Sequence, residues 1–229
     1  WMQGIHPRIW FWRLALGLRV LVLPGWFKEL HERSRVWMGV LEAKQLYDLA
    51  KKNVGLGVIV EIGSALGGSA CLLSKATKAV NGEKVHCVDL WLTLTKEEAT
   101  EWNGRWLEED KPFTAAPLLE KFLVNVRENG MPELIEPIQG KSVDAARGWS
   151  KPIKLLFIDG SHEYEDVKAD ILAWEPFLAK GGTIAVHDYN LSVFGGVVQA
   201  VDELIGTSNR FSKLKRLQAL VWATKTAEA

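Results

Sequence analysis

Two cysteines in 229 residues are too few for a disulfide framework. Cys71 and Cys87 lie in apolar segments without metal-ligand spacing, so they read as buried, reduced thiols of a cytosolic protein. Net charge is also missing. The 28 basic residues balance 28 acidic ones, and no positive excess marks nucleic acid as a partner. Long hydrophobic runs are missing too. The N-terminal stretch WMQGIHPRIWFWRLALGLRVLVLPGWFKEL is apolar, but Arg13, Arg19 and Pro24 interrupt it well short of the ~20 residues a spanning helix needs. It lacks the continuous apolar centre and small-residue cleavage site of a signal peptide. The chain opens on Trp instead of Met, as a fragment or trimmed piece would. Two phosphate-binding signatures are absent as well. From Gly63 the dinucleotide pattern GxGxxG fails at Ala65, and no GxxxxGK[ST] loop occurs.

What is present is an alternation of strand-like and helix-like segments. Residues 1–35 read as an apolar helical extension, which packs on the domain or on a second copy of the chain in a homo-oligomer. Its alternative is a peripheral membrane contact, with Trp10, Phe11 and Trp12 among lipid headgroups, which would make a cytoplasmic protein membrane-associated. Residues 36–229 read as a single domain, with a polar insertion at 92–113 that carries Trp102 and Trp106. Strands are expected at 57–62, 84–91, 153–160 and 183–189, a shorter one near 133–140, and a closing antiparallel pair in FSKLKRL and ALVWATK. Helices are expected at 42–53, 68–80, 114–130, 142–149, 163–182 and 195–206. Fully apolar strands joined by helical crossovers imply a doubly wound, mostly parallel α/β sheet with helices on both faces. Right-handed crossovers then deliver every strand's carboxyl end to one edge, where ligands bind.

The residues at those ends are polar: Glu61, Asp89, Asp159, His187 and Asp188. Buried carboxylates without compensation cost several kcal/mol each, so their repetition along one edge points to a ligand site. The first loop reads E-x-G-x-x-x-G-G-S. Its glycines permit a tight turn and close approach but offer no phosphate clamp. A ligand with an amino acid moiety and a nucleoside suits it better. Each residue also has a structural reading. Glu61 could pair with a buried lysine or cap a helix, Asp89 could form a turn, and Asp159 could simply end a strand. His162 could start a helix, and His187 could be a satisfied core histidine. Trp91, Trp102 and Trp106 are expected in core or interface, or else lining a cleft where aromatic faces suit sugars and planar rings.

The segments VIVEIGSALGGS, CVDLW and FIDGSHEYEDVKADILAWEPFLAKGGTIAVHDY resemble the class I S-adenosylmethionine-dependent methyltransferases. Within them the chain is similar to the branch of macrocin-type O-methyltransferases and cephalosporin-hydroxylase-like proteins, over roughly residues 40–225. The resemblance implies a Rossmann-like seven-stranded sheet with an antiparallel C-terminal strand. It implies S-adenosylmethionine as cofactor and a small-molecule or sugar hydroxyl as acceptor. Glu61, Gly63, Ser64, Gly67 and Ser69 would flank the methionine part, and Asp89, with Leu90 beside it, the ribose. Gly140, Lys141 and Ser142 would lie against adenine. Asp159 would sit by the transferring methyl, with His162 as catalytic base. Asp159, His187 and Asp188 would occupy the family's metal site, for which Mg²⁺ is expected as an optional helper. His187 departs from the family's carboxylate or amide, and neutral imidazole is a poor Mg²⁺ ligand. A non-catalytic nucleotide-binding or scaffold protein and an NAD or nucleotide-sugar oxidoreductase are the competing readings.

Overall fold

The computed structural model describes residues 19–52, 54–92 and 118–227. Helices α1 (Gly25–Arg33) and α2 (Val40–Ala50) precede strand β1 (Val58–Ile62). Then come α3 (Gly68–Lys78), β2 (Val85–Asp89), α4 (Leu118–Asn129), β3 (Ile135–Gln139), α5 (Ser142–Arg147) and β4 (Ile153–Ile158). The chain continues through α6 (Tyr164–Trp174), β5 (Leu178–Val186), α7 (Gly195–Val201), β6 (Lys215–Leu217) and β7 (Leu220–Thr224). The seven strands form one sheet in the order β3-β2-β1-β4-β5-β7-β6. Strands β1 to β5 pair in parallel, and β7 runs antiparallel between β5 and β6. Strand order reverses between β1 and β4, the place where such sheets open a crevice.

Register explains why the polar residues meet. Ile62, Val88, Ile158 and Val186 lie side by side across β2, β1, β4 and β5. One residue further on come Gly63, Asp89, Asp159 and His187. By the two-residue repeat, these continue the face that carries Glu61, Cys87, Phe157 and Ala185. That face packs on α1 to α4, through a core that includes Phe27, Leu46, Leu72, Trp91 and Phe122. The opposite face, with Val60, Leu156 and Ile184, packs on α5 to α7 through Val167, Ile171, Trp174 and Val201. Phe27 and Leu30 bring α1 into the first of these cores.

Among the described residues the expected strands and helices are present, with one substantial shift. The helix expected over 163–182 stops at Trp174, where a 3₁₀ turn over Glu175–Phe177 contains Pro176. Proline lacks the N–H that the next helical turn needs. Leu178 therefore opens β5, and Gly181 and Gly182 belong to a strand instead of ending a helix. Between Leu178 and Thr183 strand β5 bulges, passing only from Ile153 to Leu155 on β4, and Gly181 takes the left-handed φ of +86° that this needs.

Buried cations cluster at the other end of the sheet. Lys154 pairs with Glu83, and Lys225 with Glu175, which also binds Arg210. Both cysteines are free and buried, and burial pushes the Cys71 thiol up to about 12. Among the described residues no helix is long and apolar enough to cross a membrane. Trp10, Phe11, Trp12, the stretch 93–113, Trp102 and Trp106 lie outside the described residues.

Candidate active site at the carboxyl edge of the sheet

The loop after β1 is held in shape by its own side chains. Glu61 is fully buried. Ser64 Oγ donates to its Oε2 at 2.6 Å, while Oε1 has no hydrogen-bond partner among the described residues. Burial is the main reason the Glu61 carboxyl is pushed up to about 7, against the pull of Ser64, Ser69 and Cys87. Gly63 has φ +85°, and a Cβ there would stand 2.2 Å from the Asp159 carbonyl oxygen, so the ends of β1 and β4 meet backbone to backbone. Gly67, at φ +82°, would collide with the Phe122 ring at 2.8 Å. Both glycines thus serve close packing as well as the turn.

Asp89 closes the other side of the loop. Its Oδ2 accepts the Ala65 N–H at 2.8 Å and its Oδ1 the Trp91 N–H at 2.7 Å. The Trp91 indole N–H donates back to the Ala65 carbonyl at 2.8 Å. This clamp holds Ala65 at φ +43°, in the left-handed region that usually favours glycine. It does so at the position where a dinucleotide loop would carry its second glycine. Each Asp89 oxygen keeps a second lone pair, enough to accept from a vicinal diol. Leu90 beside it is exposed. Gly140 donates its N–H to the Asp89 carbonyl at 2.9 Å, and among the described residues nothing lies within 4 Å of where a Cβ would stand. Lys141 is the N-cap residue of α5. The Ser142 hydroxyl is turned inward and accepts the Trp174 indole N–H at 2.7 Å.

Beyond β4 and β5 lies a compact charged cluster. His187 Nδ1 is 3.1 Å from Asp159 Oδ1 and 3.4 Å from Asp188 Oδ1. On the far side of the ring, Nε2 lies 3.8 Å from Glu42 Oε2. Asp188 Oδ2 meets His162 Nε2 at 2.8 Å, and the His162 ring lies 4.0 Å from that of Phe194. Burial alone would discharge His187, but Asp159, Asp188 and Glu42 outweigh it and raise the ring to about 12. The Asp188 hydrogen bond raises His162 as well, while both imidazoles hold Asp188 well below the usual carboxylate range. A small cleft lined by Asp159, Gly160, Ser161, His162, His187 and Asp188 opens beside them.

Asp159, His187 and Asp188 offer ligand atoms within 4.8 Å of one another, a spacing that fits one divalent ion. One imidazole nitrogen with two carboxylates is an unfavourable set for Mg²⁺, which prefers oxygen, and a favourable one for borderline transition ions.

The structure therefore brings Asp159, His162, His187 and Asp188 into one cluster. Glu61, Gly63, Ser64 and Asp89 form a second group, and the contact of Gly63 with Asp159 joins the two. Sequence reasoning missed Glu42, the Ala65–Trp91 clamp and Phe194. The local signal at Glu42 is that of a helix cap, through the Gly39 N–H, and its other backbone partner, Ala219, is 177 residues away.

A family model described as a methyltransferase domain matches residues 60–189, more than half of the chain. The chain belongs to that methyltransferase family. The O-methyltransferase NovP is similar in fold, with 19% identity, a TM-score of 0.67 and coverage of 87% of this chain and 88% of that one. TomG from Streptomyces achromogenes, an O-methyltransferase in complex with SAM, matches at 15% identity over 94% and 96% of the two chains, with a TM-score of 0.62. CalS11, a TDP-rhamnose 3′-O-methyltransferase of calicheamicin biosynthesis, matches at 17% identity over 80% and 77%, with a TM-score of 0.55. An uncharacterized protein, y4gI, of Sinorhizobium fredii (strain NBRC 101917 / NGR234) is 35% identical over 99 residues. Those residues are 42% of this chain, and the chain spans about a tenth of that protein's length.

Proposed function

We propose that this methyltransferase moves the methyl group of S-adenosylmethionine to a hydroxyl of a small molecule or sugar. The observation that carries the reading is the His162–Asp188 pair, set beside Asp159 beyond the carboxyl ends of β4 and β5. Methyl transfer is an in-line displacement. The acceptor oxygen bonds to the methyl carbon, the carbon–sulfur bond breaks, and S-adenosylhomocysteine leaves with the electron pair. The residues must align the acceptor and remove its proton, and alignment alone can contribute ~7–11 kcal/mol. With His162 Nε2 donating to Asp188, Nδ1 is the ring nitrogen left to take the proton. Asp89 would accept from the ribose hydroxyls, Gly140 would leave room for the base, and Glu61 would face the methionine ammonium. Asp159, Asp188 and His187 would hold a divalent ion, whose chemistry is to make the acceptor hydroxyl more acidic. TomG is named as a complex with SAM and CalS11 as acting on a deoxysugar nucleotide, and both support this choice of cofactor and acceptor class.

Calorimetry with S-adenosylhomocysteine and with NAD tests the cofactor, and binding of NAD alone would overturn the reading. A screen of hydroxylated acceptors with labelled S-adenosylmethionine, with and without EDTA, tests the reaction. Substituting His162→Ala should lower turnover by about a hundredfold or more and spare S-adenosylhomocysteine affinity. Full activity in that variant would leave His162 a packing residue against Phe194.

A further inference from the structure

Glu42 belongs to no strand end and to none of the matched motifs, yet it reaches the same cluster from α2. It is buried and fixed at both oxygens. Oε1 accepts the Ala219 N–H at 2.7 Å and Oε2 the Gly39 N–H at 2.8 Å. The His187 side chain is itself more than nine-tenths buried, and its Nε2 has no hydrogen-bond partner and no charged neighbour other than Glu42 Oε2 among the described residues. A carboxylate immobilised 3.8 Å away favours hydrogen on Nε2, so that a metal ion displacing the Nδ1 proton would meet the ring's coordinating lone pair on Nδ1. Nδ1 is the nitrogen that faces Asp159 and Asp188. Asp188 has a left-handed φ of +59°, and its side chain lies beside the ring that precedes it in sequence.

We propose that Asp159, Asp188 and His187 Nδ1 form a site selective for a borderline transition-metal ion such as Zn²⁺, Mn²⁺ or Co²⁺ over Mg²⁺, with Glu42 as the outer carboxylate that fixes the imidazole tautomer. The inference rests on reading this edge as the reaction centre of a methyltransferase. Three arguments meet here. The ligand atoms lie within 4.8 Å of one another. A mixed nitrogen and oxygen set favours ions further along the Irving–Williams series, whereas Mg²⁺ prefers oxygen and keeps several waters. Histidines that bind metals nearly always donate their second nitrogen to a carboxylate or carbonyl, and Glu42 stands on that side of the ring at 3.8 Å, close enough to accept after a small shift. The donors also sit on the ends of β4 and β5, and Glu42 on a helix packed into the core, so little rearrangement is needed. His162 stays outside the donor set as the proton acceptor, tied to Asp188 Oδ2.

The test uses the full chain, stripped with a chelator and titrated with Co²⁺ while visible absorption is read. Calorimetry with S-adenosylhomocysteine runs in parallel on the same protein. One equivalent of Co²⁺ should produce a ligand-field band that Zn²⁺ erases and a large excess of Mg²⁺ does not. Changing His187→Asp should reverse the ranking towards Mg²⁺. The Glu42→Gln variant should weaken Co²⁺ binding by about 10- to 100-fold, with S-adenosylhomocysteine affinity unchanged. Should Glu42→Gln fail to fold, long-range ¹H–¹⁵N spectra of the Zn²⁺-loaded wild-type protein read the tautomer directly, and hydrogen is expected on Nε2. Displacement of Co²⁺ by equimolar Mg²⁺, absence of any bound divalent ion, hydrogen on Nδ1 of the loaded protein, or a Glu42→Gln variant of unchanged Co²⁺ affinity would overturn the proposal. Cofactor binding without metal binding sinks this inference alone, and metal binding without cofactor binding sinks the assigned reaction instead.

Discussion

Glu61 shows how one residue can work against the fold that houses it. Its carboxyl keeps a proton up to about pH 7 in the folded protein, whereas the unfolded chain releases it near 4.5. Stability therefore falls as pH rises between those values, and the full difference amounts to about 3 kcal/mol. Glu61→Gln should accordingly stabilise the ligand-free protein at pH 8 and not at pH 4, as denaturant titration at the two pH values would show. The same change should weaken S-adenosylhomocysteine, and wild-type affinity should decline as pH drops below 7. A flat wild-type profile would remove Glu61 from the ligand. For Asp89→Ala the expectation is affinity at least about tenfold weaker, from the loss of charged hydrogen bonds. Relaxation of Ala65 and Trp91 should add to that loss, and calorimetry with folding checked by circular dichroism measures it. Residues such as Glu61, Asp89, Asp159 and His187 were legible because each ends an apolar run, and strand parity does the rest. Glu42 was not, since it lies on an ordinary amphipathic helix and acquires its role only when Ala219 folds back onto it.

At the scale of elements, the loop between β1 and α3 is built by steric exclusion. Gly63→Ala would drive a methyl into the Asp159 carbonyl and impose a left-handed backbone, so a loss of about 2 kcal/mol or more is expected. Gly195→Ala is the control. That glycine opens α7 with nothing among the described residues near its would-be Cβ and no positive φ, and alanine there should be neutral or stabilising by up to about 1 kcal/mol. Thermal unfolding of the two variants separates steric demand from mere glycine content, and equal losses would refute the account. Most helices and strands could be read from periodicity, and the parallel sheet followed from apolar strands with helical crossovers. The junction of α6 and β5 could not. Gly181 and Gly182 looked like a helix terminator because a β-bulge and a helix stop both call for glycine, and Pro176 was the signal that decided between them.

Across the whole molecule, the sheet carries opposite kinds of charge arrangement at its two ends. At the amino end each buried cation has a protein carboxylate, Lys154 with Glu83 and Lys225 with Glu175. At the carboxyl end, carboxylates outnumber the cationic groups that face them among the described residues, as a site for a ligand would need. Breaking a pair at the amino end should harm folding and not chemistry. Lys154→Met should cost about 3–5 kcal/mol by stranding Glu83, and adding Glu83→Leu should restore most of that, with S-adenosylhomocysteine affinity unmoved throughout. Denaturant midpoints and calorimetry on both variants check the claim, and weakened ligand binding would show that the two ends are coupled. The Glu42 tether extends across the molecule as well. The Glu42 carboxylate links the turn that reverses the final hairpin, through the Ala219 N–H, to the neighbourhood of the His187 imidazole. A chain trimmed just before that turn loses more than β7 and the pairing of β6, since it also takes away the Ala219 N–H and leaves Glu42 held by Gly39 alone. Fraying of the C-terminal ribbon should then loosen the surroundings of His187 while the rest of the sheet still stands.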